Sequence, residues 1–190
     1  MRIQTQGIQR AKREQGFSLL EVVISMFVLT VGLVGLLGVF ATALASTQTS
    51  QQDLIAKQLA SEAMESIFTA RNTSALSWDS IRNTTTAPGI FMPGFQPLAR
   101  EGADGIAGTA DDSGSLTLPL PGADGIVGTS DDVQLALTNY QRQIQIQDVL
   151  DAGGNVVPTL RTVNITIRYQ TPQFRTYKTY VLSGYISQYR

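Results

Sequence analysis

Chemistry in this chain falls to carboxylates, hydroxyls and backbone groups, because the sequence contains no histidine and no cysteine. That removes the commonest general base and metal ligand, any serine–histidine–aspartate triad, and all thiol or disulfide chemistry. Six aspartates stand in a duplicated segment: Gly102–Asp112 reads GADGIAGTADD and Gly122–Asp132 reads GADGIVGTSDD. Each copy offers one isolated aspartate and one adjacent pair. These are Asp104 with Asp111 and Asp112, and Asp124 with Asp131 and Asp132. Carboxylates beside exposed backbone carbonyls are the ligand set that calcium prefers, and a hard cation would relieve the repulsion within each pair. The six aspartates are therefore candidate calcium ligands, in one shared site or two, although their spacing is not that of an EF-hand. The competing reading is a pair of Asp-Gly turns on a solvated surface.

A second carboxylate stands alone. Glu21 lies inside LLEVVI, and no charged residue follows it from Val22 to Gln52. A lone acid in such a run costs roughly 2.5–3.5 kcal/mol on insertion, less near the interface, so a counter-charge is expected. A cut between Gly16 and Phe17 would place a new α-amine one helical turn before Glu21.

The element that positions Glu21 is an apolar run from Val22 to about Ala45. Its length suits a transmembrane helix, which needs roughly 20 apolar residues. Ahead of it, residues 1–16 carry Arg2, Arg10, Lys12 and Arg13 against Glu14, which predicts a cytoplasmic leader and a C-terminal bulk on the other side. An uncleaved signal anchor or a secretory signal cut near Ala41, Ala43 or Ala45 competes with this reading. The core is long for a secretory signal, whose apolar region runs to about 7–15 residues.

Gly16-Phe17-Ser18-Leu19-Leu20-Glu21 resembles the processing motif of type IV prepilins and pseudopilins. The resemblance implies that a membrane aspartyl prepilin peptidase cuts after Gly16, that Phe17 becomes N-methylated, and that Glu21 serves assembly. It further implies a single-pass protein of the bacterial inner membrane that joins other pilin subunits through its N-terminal helix. Val31-Gly32-Leu33-Val34-Gly35-Leu36-Leu37-Gly38 resembles PilV-type minor pilins. The function so implied is structural, a minor subunit of a type IV pilus. The alternatives are a pseudopilin of a type II secretion system and a membrane-anchored, calcium-dependent adhesion module outside any filament. Gly32, Gly35 and Gly38 suit close helix–helix approach or a locally weakened helix, and in related filaments part of this helix loses regular structure on assembly.

Beyond the apolar run the helical signal continues over 46–71. Ile55, Leu59, Ala63 and Ile67 recur four apart, with Ala60, Met64 and Phe68 beside them. This stripe predicts a helix that packs on the chain's own sheet, and NTSALS at 72–77 ends it. A helix from Ser18 to Arg71 would measure roughly 80 Å. Residues 72–132, rich in proline and carrying the duplication, read as loops. Residues 133–190 alternate with period two and predict an antiparallel meander. There Tyr140, Ile144 and Ile146 oppose Gln141, Gln143, Gln145 and Gln147, and Val163, Ile165, Ile167 and Tyr169 oppose Thr162, Asn164, Thr166 and Arg168. Thr176–Ile186 forms a further strand, and DAGGN at 151–155 and TPQ at 171–173 make the connections. Val133, Leu135 and Leu137 fall out of phase with Ile144 and Ile146, which puts a bulge or break near Asn139. The expected class is α+β, with a leader at 1–16, an apolar helix at 17–45, its amphipathic continuation at 46–71, and a globular part at 72–190. Net charge is −1 and only 15% of residues are charged, which argues against a nucleic-acid binder. No constellation of residues points to an enzyme.

Overall fold

The computed structural model describes residues 18–171 and 176–189. The order is α1 (Leu19–Asn72), a 3-10 turn (Trp78–Ser80), β1 (Gln96–Pro97), β2 (Thr117–Leu120), β3 (Val133–Ala136), β4 (Tyr140–Leu150), β5 (Val156–Gln170) and β6 (Tyr177–Ser187). The class is α+β, one long helix with an antiparallel sheet. The chain divides into two units, Met1–Ser46 and Thr47–Arg190.

The described part of the first unit is the opening of α1. Its large apolar side chains, Leu19 to Leu44, are exposed on every face. The few hydroxyls among them turn back onto the helix. Ser25 donates to the Glu21 carbonyl at 2.7 Å, Thr30 to Met26 at 2.7 Å and Thr42 to Val39 at 2.8 Å. This is how a polar side chain is hidden in apolar surroundings. The helix runs unbroken through Gly32, Gly35 and Gly38.

In the second unit α1 buries one stripe: Ala56, Leu59, Ala60, Ala63, Met64, Ile67 and Ala70. Spacings of three and four put these residues on one face. The stripe joins one core with the inward rows of the sheet, Tyr140 and Ile144 from β4, Val163, Ile165, Ile167 and Tyr169 from β5, and Ile186 from β6. The inward rows are the apolar phases of the alternation; the glutamines of β4 face the other way. Tyr140 and Tyr169 are cross-strand partners with ring centroids 5.3 Å apart. Tyr169 Oη donates to Asp53 of the helix, and Lys178 Nζ lies 3.4 Å from the same carboxylate. Burial, with the charge of Asp53 second, pushes the Tyr140 phenol up to about 12.

The meander is antiparallel in the order β1-β4-β5-β6. Its register shifts between Asp148 and Val149. β3 does not join it. β2 and β3 pair with each other as a separate ribbon, and the chain breaks at 137–139 before β4 begins, where the phase change near Asn139 predicts a discontinuity. The stretch expected to be loop thus contains β1, β2 and the 3-10 turn as well. The outer edge of β4 is covered in two ways. Gln96 and Pro97 pair with Arg142 and Gln141. Further along, the Asn83 side chain imitates a strand: its Nδ2 donates to Ile144 O at 2.8 Å, and its Oδ1 accepts from Ile146 N at 2.8 Å.

Arg161 stands in the inward row of β5 and is almost fully buried. Its guanidinium donates to the carbonyls of Trp78 and Ile81, stacks 4.2 Å over the Trp78 ring and lies 3.4 Å from Asp148, which also binds Arg82 at 2.8 Å. Burial holds its pKa below the usual arginine value. One arginine therefore ties the segment after α1 to the sheet. Replacing it with leucine removes the donor from two inward carbonyls, and such losses cost about 1–3 kcal/mol per buried group. Arg161→Leu is expected to lower unfolding stability by about 2–4 kcal/mol, read as the urea midpoint by near-ultraviolet circular dichroism. An unchanged midpoint would show that these carbonyls find other donors.

Candidate functional site

Two places gather the residues that the sequence singles out. At the N-terminus, Glu21 lies in the first turn of α1, and its amide donates to Ser18 O at 3.0 Å. An acid in the first turn complements the positive end of the helix. Gly16, Phe17 and the basic leader lie outside the described residues. The helix that follows is long and apolar enough to cross a membrane.

The duplicated segments form two loops of one design. Each is closed by a bridge at equivalent positions, Arg100 with Ser113 for the first and Leu120 with Val133 for the second. Inside, the aspartates bind their own loop. Asp104 Oδ1 accepts from Ile106 N at 2.9 Å, and Asp124 Oδ1 from Ile126 N at 2.8 Å. Asp112 Oδ2 and Asp132 Oδ2 each accept from a glycine amide, Gly108 or Gly128, at 2.7 Å. Asp111 and Asp131 accept from the hydroxyls of Thr109 and Thr129 at 2.6 Å, and from the amides of Asp104 and Asp124 at 3.4 and 3.2 Å.

Glycine is required at the head of each loop. A Cβ on Gly102 would come within 2.1 Å of Asp111 Oδ2, and one on Gly122 within 2.3 Å of Asp131 O. The aspartates thus order each loop through its own amides and hydroxyls. Among the described residues, no three acidic side chains converge in a geometry that could hold a metal ion.

The surroundings of the loops differ. In the first copy Ile106 is 2% and Ala107 0% exposed, whereas in the second Ile126 is 60% and Val127 55% exposed. The first loop docks on the sheet. Gly108 sits so close that an added Cβ would lie 2.7 Å from Ile144 Cδ1, and Met92 N donates to Gly108 O at 2.8 Å. Asp112 Oδ2 then meets Arg142 Nη2 at 3.6 Å, with both side chains less than a tenth exposed. Burial lowers the pKa of Arg142, and Asp112 opposes that shift. Sequence reasoning did not pick out Arg142, Arg161, Thr109 or Thr129. The signal for the arginines was their phase, since each falls on the apolar row of its strand.

The family model described as the prokaryotic N-terminal methylation motif matches residues 11–44. No curated protein and no solved structure matches the chain. The motif indicates a precursor of the type IV pilin or pseudopilin kind.

The hydrogen bonds within the loops have a pH consequence. The Thr109 hydroxyl, and to a lesser degree the Asp104 amide, holds the Asp111 carboxyl below its usual value of 3.8; Thr129 and the Asp124 amide do the same for Asp131. A lowered folded pKa means that the ionised form favours the native loop. That contribution is complete above the unfolded aspartate range and is lost as pH falls through the lowered folded values. Melting followed from pH 6 down to about 2 should therefore show a decline in this acid window, and Asp111→Asn with Asp131→Asn should flatten it. An identical pH profile for the double variant would refute the assignment.

Proposed function

We propose that this chain is a minor pilin of a type IV pilus, made as a precursor and assembled through its N-terminal helix. The observation that carries the reading is the methylation motif at 11–44, which overlies an unbroken apolar helix with an acid in its first turn. In this reading prepilin peptidase removes residues 1–16 and Phe17 is N-methylated. The new ammonium pairs with Glu21 of the same or a neighbouring subunit. Pairing of this kind matters because an uncompensated charge inside an apolar bundle costs several kcal/mol. The apolar segment 17–45 holds the precursor in the bacterial inner membrane and then packs against other subunits in the filament. A pseudopilin of a type II secretion system would use the same mechanism in a different machine, and localisation of the mature protein separates the two.

Calcium binding by the duplicated loops is a second proposal. It is favoured by the adjacent aspartates of each loop. The chain should then melt higher in millimolar calcium than in chelator, and asparagine at Asp104, Asp111, Asp112, Asp124, Asp131 and Asp132 should abolish the shift. No shift and no heat on titration would leave the loops self-sufficient. A membrane-anchored adhesion module that uses calcium would combine this result with an uncut N-terminus.

The principal test is intact mass of the N-terminal peptide from native membranes and filaments. The expected product begins at N-methylated Phe17. Gly16→Val should leave full-length precursor in the membrane, because a β-branched residue crowds the cut. Glu21→Val should still be cut and inserted yet be depleted from filaments. A mature protein with another first residue, or wild-type filament yield for Glu21→Val, would overturn the reading.

A further inference from the structure

The chain contains the same loop twice, and the two copies answer different questions. The first shows what kind of surface the loop fits. Its Ile106-Ala107 tip enters the core, Gly108 presses on Ile144 near Phe91, and Asp112 meets the inward Arg142. The receptor is an apolar socket with an arginine inside it.

The second copy keeps the bridge and most of the internal hydrogen bonds, and its tip is exposed. Gly128 has nothing within 4 Å of an added Cβ, whereas Gly108 is in contact. Asp112 Oδ1 is reached by Gly102 N and Thr109 Oγ1 at 3.4 and 3.5 Å. The equivalent Asp132 Oδ1 is inaccessible and has no hydrogen-bond partner. The tip is also more apolar than in the buried copy, since Val127 replaces Ala107. Val133 and Leu135 stand exposed on the strand that follows. Loop tips in water are ordinarily polar, and clustered exposed apolar residues mark interaction sites.

We propose that the second loop is a docking knob for another protein, one that presents an apolar socket beside an arginine. Ile126 and Val127 fill the socket, and Asp132 Oδ2, the counterpart of the Asp112 oxygen that lies 3.6 Å from Arg142, meets the guanidinium. The three aspartates of the loop make its field negative, which complements a cationic partner and opposes an anionic lipid surface. The inference does not depend on which filament or membrane system the chain serves, because both loops lie within the unit Thr47–Arg190.

The test uses the full chain in the cells that produce it, with the photoreactive residue benzoylphenylalanine at Val127 and chelator present during irradiation. The expected adduct joins a different protein at a peptide close to an arginine. Ile126→Asp and Asp132→Asn should each reduce adduct yield about ten-fold, as loss of an interface anchor does. Ile126→Asp should leave the melting temperature unchanged, because Ile126 is 60% exposed and stands outside the core; Asp132→Asn is compared at equal folded fraction, since Asp132 Oδ2 also accepts from Gly128 N. Ile106→Asp should instead unfold the domain. Asp132→Arg should abolish the adduct, and the reciprocal change of the partner's arginine to aspartate should restore it. Adducts to lipid, adducts to a second copy of this chain, no adduct, or yields indifferent to Ile126→Asp and Asp132→Asn would each overturn the proposal.

Discussion

Every backbone N–H and C=O in an apolar environment needs a partner, and within a single segment only a helix supplies all of them. That constraint governs α1. Over its first part the side chains are apolar on every side, so the hydroxyls of Ser25, Thr30 and Thr42 can only return to the helix's own carbonyls. From Ala56 onward the same helix presents a single buried stripe to the sheet. One element therefore meets two sets of surroundings without a break, and the composition of its faces changes in between. The small residues of the stripe, Ala56, Ala60, Ala63 and Ala70, bring β5 close enough for its isoleucines and Tyr169 to pack densely.

The sheet depends on two inward arginines that interrupt the apolar rows. Arg161 gathers the carbonyls after the helix, and Arg142 receives the first loop. Each has an acid within reach, Asp148 or Asp112, which compensates part of the desolvation that lowers both arginine pKa values. The globular part is thereby joined at positions where hydrocarbon alone would leave carbonyls and carboxylates unsatisfied.

Periodic features were legible in the sequence. The stripe of α1 and the alternation of β4 and β5 are set by local geometry, so spacing reveals them. The phase change at Val133–Leu137 correctly marks a discontinuity, since β3 belongs to another ribbon. The duplication was equally plain. What each loop touches was not legible, because the segments differ at only two positions of their own, and the first is set apart by the distant residues that surround it, Phe91, Arg142 and Ile144. The arginines were overlooked because their charge suggests solvent while their phase places them inside. β1 and β2 are short and include Pro97 and Pro119, which blunt the strand signal. The role of Asn83 as a stand-in strand follows from tertiary contact alone.

The covering of β4 by β1 and Asn83 makes the four-stranded sheet one-sided. Among the described residues β6 pairs only with β5, so one long edge is closed and the other is open. Two molecules that met edge to edge along β6 would use up both open borders in the same act. Extension of this sheet from chain to chain would then stop at a pair, and a runaway cross-β polymer could not propagate through it. Any longer assembly must be joined by side chains and helices, which leaves the order of subunits to surfaces that can be selective.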